Sequence, residues 1–538
     1  MQPNIAFPLH SGLGQLAILP LDVLRLILLK AGGRTVRILS SGFKRMFDEA
    51  STTLKIIDLE SESQHTSVDE SVKLISNVIR SRRALVSFEV WNCQPSAVLN
   101  IVPLLAATHK GLQHFELHCA PLGSANITSM APSLMAWTEL QTLNLSGNGL
   151  HATGAEALSP ALLALTRLQT LNLRGNKITS AGAASLAPAL AVMTGLIFLD
   201  LSVNNIDAVG MQSLAPSLEN LTGLTRLNLF QNGLCSDGAA SLRSCLVALT
   251  GLCFLDLGKN VFHVFGTVSL TPSLTRLTNL TTLDFRDNGM GLDGAISFAS
   301  ALMALTWLQN LTISGNDIGP AGAASLAPSL KMLKVLHSLD ISNNNMGSDG
   351  ATSLASSLSA LKDLYSLDIS RNIVGPAGAA SLGASLSMLK GLYELDISRN
   401  DIGPAGAASL ASSLFMLTSL NILTISHNDL GPAGAAALAP ALMMLSGLLN
   451  LSLDRNNIGS AGAASLAPSL AALTGLRSLD LSQNNLGTDG AALLAPSLLA
   501  LTRIGFLRFR YNNLGPESTA LLKSTLKALK QLLVLHID

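Results

Sequence analysis

Aromatic residues are scarce in this chain, at 4% of the total with three tryptophans and three tyrosines. A core built mainly of stacked rings is therefore excluded, and most of the core has to come from aliphatic packing. Charge is scarce as well: 13% of residues are charged, and 34 acidic side chains balance 34 basic ones. No overall field is left to recruit nucleic acid. The five cysteines, Cys93, Cys119, Cys235, Cys245 and Cys253, are odd in number and form no C-x-x-C pair. That argues against a disulfide framework and for a reducing, intracellular setting, cytoplasmic or nuclear. No run of about 20 apolar residues, the length a membrane span needs, occurs; Leu16 to Leu29 is short and carries Asp22 and Arg25. The opening MQPNIAFPLHSG lacks the basic and apolar regions of a secretory signal. The motifs H-E-x-x-H, G-x-S-x-G and G-x-x-x-x-G-K-[ST] are missing too, so no catalytic constellation is expected.

What the chain has is one unit repeated. Asparagines stand at Asn148, Asn176, Asn204, Asn232, Asn260, Asn288, Asn316, Asn344, Asn372, Asn400, Asn428, Asn456, Asn484 and Asn512, thirteen steps of 28 with no insertion. A leucine pair such as Leu143 and Leu145, and a glycine running from Gly154 to Gly490, keep the same period. The L-x-L alternation predicts a short strand with the two leucines inward and Asn144 outward. A column of Ser180, Ser236, Ser348 and Ser460, or Pro320, Pro376, Pro404 and Pro432, reads as the N-cap and first turn of a helix. Gly182, Ala183 and Leu186 follow as its inner face. Pro188, Pro216, Pro328 and Pro468 fall within that helix and are expected to kink it or break it into short turns. No single unit can bury both its strand and its helix, so stacked units must share one core.

The pattern L-x-x-L-x-L-x-x-N-x-I/L followed by G-A-x-x-L-A-P-S-L resembles leucine-rich repeats of the ribonuclease-inhibitor subtype. The resemblance implies an α/β solenoid, a horseshoe with parallel strands on the concave side and helices on the convex side. It also implies that the column asparagines reach the backbone of neighbouring turns. Earlier strands are expected at Leu54, Ile57 and Leu59, at Leu85, Phe88 and Val90, and at Phe115 and Leu117, giving about 18 strands over residues 54–538. Between the first two, Val72, Ile75, Val78 and Ile79 suggest a helix in an irregular capping unit. Residues 1–15 read as a flexible leader.

Residues 16–53 carry no repeat column. Pro20, then Val23, Leu24, Ile27 and Leu28, suggest a helix interrupted at Gly32 and Gly33, with a second short helix over Thr35 to Leu39 and a third around Phe43 and Phe47. Leu19-Pro20, Val23-Leu24, Ile27, the Leu39 to Phe43 segment and Phe47 resemble an F-box, so this part is expected to be a small helical, F-box-like segment. Gly434 to Ala439 (GAAALA) is similar to the repeat of the GALA-like F-box proteins. These resemblances imply the substrate-recognition subunit of a cullin-type (SCF) ubiquitin ligase. Leu19, Pro20, Val23, Leu24, Ile27, Phe43 and Phe47 would then dock a Skp-type adaptor, and the concave face would hold a target protein. Two alternatives stay open: a non-enzymatic scaffold whose N-terminal helices only cap the solenoid, and a GTPase-activating protein, since a nuclear protein of that class uses the same repeat subtype.

Four features invite more specific readings. Asp256, Asp284, Asp340, Asp368, Asp396 and Asp480 occupy the outward strand position and could form an acidic stripe for a basic partner. The same column is also filled by L-D-L-S as a matter of repeat chemistry. Gly289, Gly291 and Gly294 match G-x-G-x-x-G, yet two of them belong to repeat columns, so no dinucleotide cofactor is expected. His114 and His118 are too far apart on an extended strand, about 13 Å, to share a metal ion with Cys93 or Cys119. Phe265 stands where most units carry Ala or Asp, and is expected to fill a packing gap.

Overall fold

The computed structural model describes residues 29–31, 34–39, 53–59, 75–77, 79–80, 85–118 and 122–537. The chain divides into two compact units, one of residues 1–234 and 244–252, the other of residues 235–243 and 253–538. In the first unit, seven parallel strands succeed one another among the described residues: Thr53–Leu59, Ser87–Cys93, His114–His118, Thr142–Asn144, Thr170–Asn172, Phe198–Asp200 and Arg226–Asn228. In the second, eleven run from Phe254–Asp256 to Val534–His536. From Ser87–Cys93 onward, each described strand is followed by a helix of 12 to 14 residues until the last, and register is strict, Leu339 opposite Leu367 opposite Leu395. The fold is the α/β solenoid that the period implies.

Why each unit takes this form can be read from one repeat. Leu364, Leu367 and Ile369 turn inward and are at most 1% exposed, which is the aliphatic core that scarce aromatics require. Asn372, fully buried, donates through Nδ2 to the carbonyls of Ile341 (3.0 Å), Ile369 (3.1 Å) and Ser370 (3.1 Å). Its Oδ1 accepts from the backbone N–H of Asn344 at 2.9 Å and of Met346 at 3.4 Å. Met346 directly precedes the helix Gly347–Leu358, whose first N–H goes to the Asn372 carbonyl at 2.9 Å. Each asparagine thus ends its own strand and satisfies the helix start of the preceding repeat.

Capping is therefore done differently from expectation. None of the helices holding Ser180, Ser236, Ser348 and Ser460 has a side-chain cap; these serines lie in the first turn, and Ser236 Oγ donates instead to the Phe262 carbonyl at 3.0 Å. The prolines also behave differently. Pro188, Pro216, Pro328 and Pro468 sit inside unbroken helices. All four are exposed, so the carbonyl each deprives of a partner faces water and the helix continues. On the inner face, a Cβ at Gly378 would stand 2.7 Å from Val374 Cγ1 and 3.1 Å from both Ala351 Cβ and Ser348 Cα. Only glycine lets these helices stack so closely.

Two further expectations are corrected. Thr35 to Leu39 is not helical: Arg34–Leu39 is a strand, paired antiparallel with Leu29–Ala31 through residues 34–36 and with Thr53–Leu59 through residues 37–39. Its β-branched Thr35, Val36 and Ile38 suit a strand, and the pairing supplies the first repeat strand with a neighbour. Phe265 does not fill a gap, being 82% exposed; the buried ring is Phe262, three residues earlier. The irregular first unit does contain helix, with Ile75 and Ile79 buried. The remaining residues of 1–53, including the expected leader, lie outside the described set.

Candidate functional site

The outward strand column begins as an architectural element. Asp368 Oδ1 accepts the N–H of Ser370 at 2.9 Å, Asp396 that of Ser398 at 2.8 Å, and Asp480 that of Ser482 at 3.0 Å. Asp256 and Asp284 do the same for Gly258 and Arg286, each at 3.0 Å. Asn144, Asn172 and Asn228 make the same turn. The turn needs only a side-chain carbonyl two residues before the N–H, so it explains an Asx residue in the column but not a charge.

Charge appears where three carboxylates stand side by side. Asp340, Asp368 and Asp396 occupy neighbouring rungs, whereas Thr312, Thr424 and Ser452 interrupt the column elsewhere. Asp340 also accepts from Ser314 Oγ at 2.8 Å and Ser342 Oγ at 2.7 Å. Among the described residues none of the three has a cationic partner, unlike Asp284 with Arg286 (3.2 Å) and Asp480 with Arg508 (3.7 Å). Burial, reinforced by the neighbouring Asp396 and Asp340, pushes the Asp368 carboxyl up to about 6. Asp396 is raised for the same first reason, as is Asp284. A cation arriving at this triplet would relieve both burial and mutual repulsion.

Beside the triplet lie residues that sequence reasoning passed over. Tyr365 and Tyr393, two of the three tyrosines in the chain, stack with centroids 4.6 Å apart and planes 9° from parallel. Beyond the strands, Arg371, Arg399, His427 and Arg455 fill one column on four successive repeats, with φ between 55° and 58°. Gly147, Gly175 and Gly315 hold the same column elsewhere. Glycine takes this left-handed backbone freely, and other residues at a cost of roughly 1–2 kcal/mol. Comparing exposed columns with each other, rather than with the consensus, would have found both features.

The other sequence candidates resolve individually. Leu19, Pro20, Val23, Leu24, Ile27, Phe43 and Phe47 lie outside the described residues. Gly289 and Gly291 have φ of 63° and 62°, as the turn requires, and a Cβ on Gly294 would meet Met290 Cγ at 2.8 Å. His114 Nδ1 contacts Thr142 Oγ1 at 3.0 Å, while His118 contacts Glu116 at 2.9 Å and stacks on Trp91 at 3.7 Å. Among the described residues no group of His, Cys, Asp and Glu is placed to hold a metal ion, and no helix is long and apolar enough to cross a membrane. Cys245 is buried, which pushes its thiol up to about 12.

The comparison with protein-family models agrees with the repeat architecture. A family model described as Leucine Rich repeat matches residues 138–159, 165–187, 195–215, 276–299, 304–327, 333–355, 392–411, 417–439 and 473–495. The chain is a leucine-rich-repeat protein. Among solved structures it is similar to an internalin (inlF) from Listeria monocytogenes at 21% identity, over 76% of this chain and 82% of that one, with a TM-score of 0.36. No curated protein matches the chain.

Proposed function

We propose that this chain is a protein-binding scaffold, and that the strand face around Asp340, Asp368 and Asp396 receives the basic part of a protein partner. The observation that carries the reading is the carboxylate triplet, part-buried and, among the described residues, with no cation within ion-pair distance, Arg371 acting on Asp396 only from farther away, with the Tyr365 and Tyr393 stack beside it. Stacked tyrosines offer large, rigid contact area at low entropic cost, as binding surfaces favour. Asp256, Asp284 and Asp480 extend the column and play a lesser part, since Asp284 and Asp480 are already paired.

The narrower reading, recognition subunit of a cullin-type ubiquitin ligase, needs a helical segment to present Leu19 to Phe47 to a Skp-type adaptor. The strand at Arg34–Leu39 does not suit it, and the scaffold reading is carried forward. Binding of the full chain to a purified Skp-type adaptor would restore the narrower one.

The scaffold reading is tested by selecting displayed peptides against the full chain and measuring their affinity for Asp368→Asn, Asp396→Asn and Tyr393→Ala. Asparagine keeps the strand-end turn, as Asn144 and Asn172 do, so only charge is removed. Lysine- or arginine-containing peptides that bind at least tenfold more weakly to these variants are expected. Selected peptides that bind all three variants as well as the parent would sink the site.

A further inference from the structure

The basic column next to the carboxylates is not explained by the repeat. Arg371, Arg399 and Arg455 are exposed, and among the described residues no carboxylate lies within ion-pair distance of them. We propose that Arg371, Arg399, His427 and Arg455 form a binding row for the carboxylate side chains of an acidic protein segment running across the repeats. This rests on the protein-binding reading above and adds the second half of the partner's chemistry: acidic groups for this row, basic groups for the aspartate triplet.

Three observations carry it. The row is continuous over four repeats, about 14 Å at about 4.8 Å per parallel strand, a length that a few residues of extended chain match. Two of its members are linked, because an Arg399 guanidinium nitrogen lies 3.2 Å from His427 Nε2. With guanidinium always a donor, His427 Nε2 there is the acceptor of a neutral ring. Burial first, then Arg399 and Arg455 and more weakly Arg371, hold that ring below the usual histidine range, against Asp454 at 3.8 Å. An anion seated over His427 would offset those arginines and draw a proton onto the ring.

The row is also narrow. Asp368 and Asp396 lie on its strand side, and the exposed Asp401 and Asp429 follow it in the turn. A nucleic-acid strand, with a phosphate at every step, would lay charge over those carboxylates. An extended protein segment points successive side chains to opposite faces, so alternate carboxylates can sit on the arginines while the others turn to solvent.

The test uses the full chain with three fluorescent probes: a hexaglutamate peptide, a hexalysine peptide and a uridine octamer RNA. The variant is R371G/R399G/R455G, since glycine is the unstrained occupant of this column, with His427 followed by NMR. Expected results are that the variant stays folded and binds hexaglutamate at least tenfold more weakly. The parent should bind that peptide more tightly at pH 6 than at pH 8, and the His427 midpoint should rise when it is bound. Equal hexaglutamate affinity in parent and variant, an unmoved His427, or tighter binding of the RNA than of hexaglutamate would each overturn the proposal. If hexalysine binds through Asp368 and Asp396 while hexaglutamate does not bind, the basic row is refuted and the scaffold reading stands. If hexaglutamate binds through the arginines while hexalysine does not bind, the basic row stands and the acidic site is refuted.

Discussion

Residues 142–204 of the first unit and 338–456 of the second share one skeleton and differ in dress. In both, a buried asparagine donates to the carbonyl of the preceding repeat, Asn176 to Leu145 at 2.8 Å and Asn400 to Ile369 at 2.9 Å. In both, the outward residue accepts an N–H two positions on, Asn172 from Arg174 and Asp396 from Ser398. Yet where the first region carries Gln169, Asn172 and Gly175, the second carries Tyr365, Asp368 and Arg371. The fold is indifferent to that exchange, because a turn acceptor can be amide or carboxylate and a left-handed residue can be glycine or arginine. Specific binding chemistry can therefore be written only in columns the architecture does not monopolise.

The comparison breaks most visibly if the shared skeleton is not equivalent. Leu171→Ala and Leu367→Ala each remove a fully buried side chain and should each cost about 2–5 kcal/mol. The loss should concentrate in adjacent repeats, as a linear array requires. Hydrogen exchange on both variants checks this; loosening spread evenly from end to end would contradict it. A slightly smaller loss, about 2–4 kcal/mol, is expected from Asn176→Ala and from Asn400→Ala. In the latter the N–H of Asn372 and the carbonyls of Ile369 and Ile397 lose a buried partner. Urea unfolding that finds one of these asparagines dispensable would show that the two ladders are not the same device.

The skeleton was legible because it repeats: a period of 28 places Leu171, Asn176 and Gly182 by arithmetic, and their roles follow from burial and backbone chemistry. What stayed hidden was local or comparative. Pro188 looked like a breaker because its side of the helix, open to water, is not visible in a single repeat. Thr35 to Leu39 was read through a helical motif although its β-branched residues favour a strand. The acidic column was found, but its turn-forming role was not, since that becomes evident only when Asn172 and Asp368 are seen making the same bond. Arg371, Arg399 and Arg455 fill no consensus position, and their row stands out only when they are set against Gly147, Gly175 and Gly315 in the same column.

A smaller effect sharpens the difference between the two regions. With the Asp368 carboxyl raised from 3.8 to about 6, its contribution to folding is fully present below the unfolded value and lost as pH rises through about 6. Asp368→Asn keeps the turn and removes that loss. It should therefore stabilise the chain at pH 7.5, by about 1 kcal/mol after allowance for solvent screening, and make no difference at pH 3.5. The converse change, Asn172→Asp, would have a carboxylate on one side only, Asp200, with Asn144 on the other, and should shift stability less. Paired urea midpoints at the two pH values decide it; a pH-independent gain from Asp368→Asn would mean that its charge is not what costs stability.

The smallest expected change lies on the helix face. Phe265 and Phe262 are one helical turn apart, and their exposures, 82% and 0%, are as different as two identical side chains can be. Phe262 stacks on Phe285 with centroids 5.6 Å apart, so its ring belongs to the core. Phe265 begins the exposed group Phe265, Val268, Leu292 and Ile296, set in columns that other repeats fill mostly with Ala, Asp, Ser or Pro. A side chain already in water gives up little on truncation, so Phe265→Asp should alter unfolding free energy by no more than about 0.5 kcal/mol. The aspartate also falls within the first turn of the helix His263–Leu274, which has no acidic residue there, and its interaction with the helix dipole should push that small change toward stability. A thermal melt of the full chain measures it. A loss of 2 kcal/mol or more would mean that Phe265 packs in solution after all.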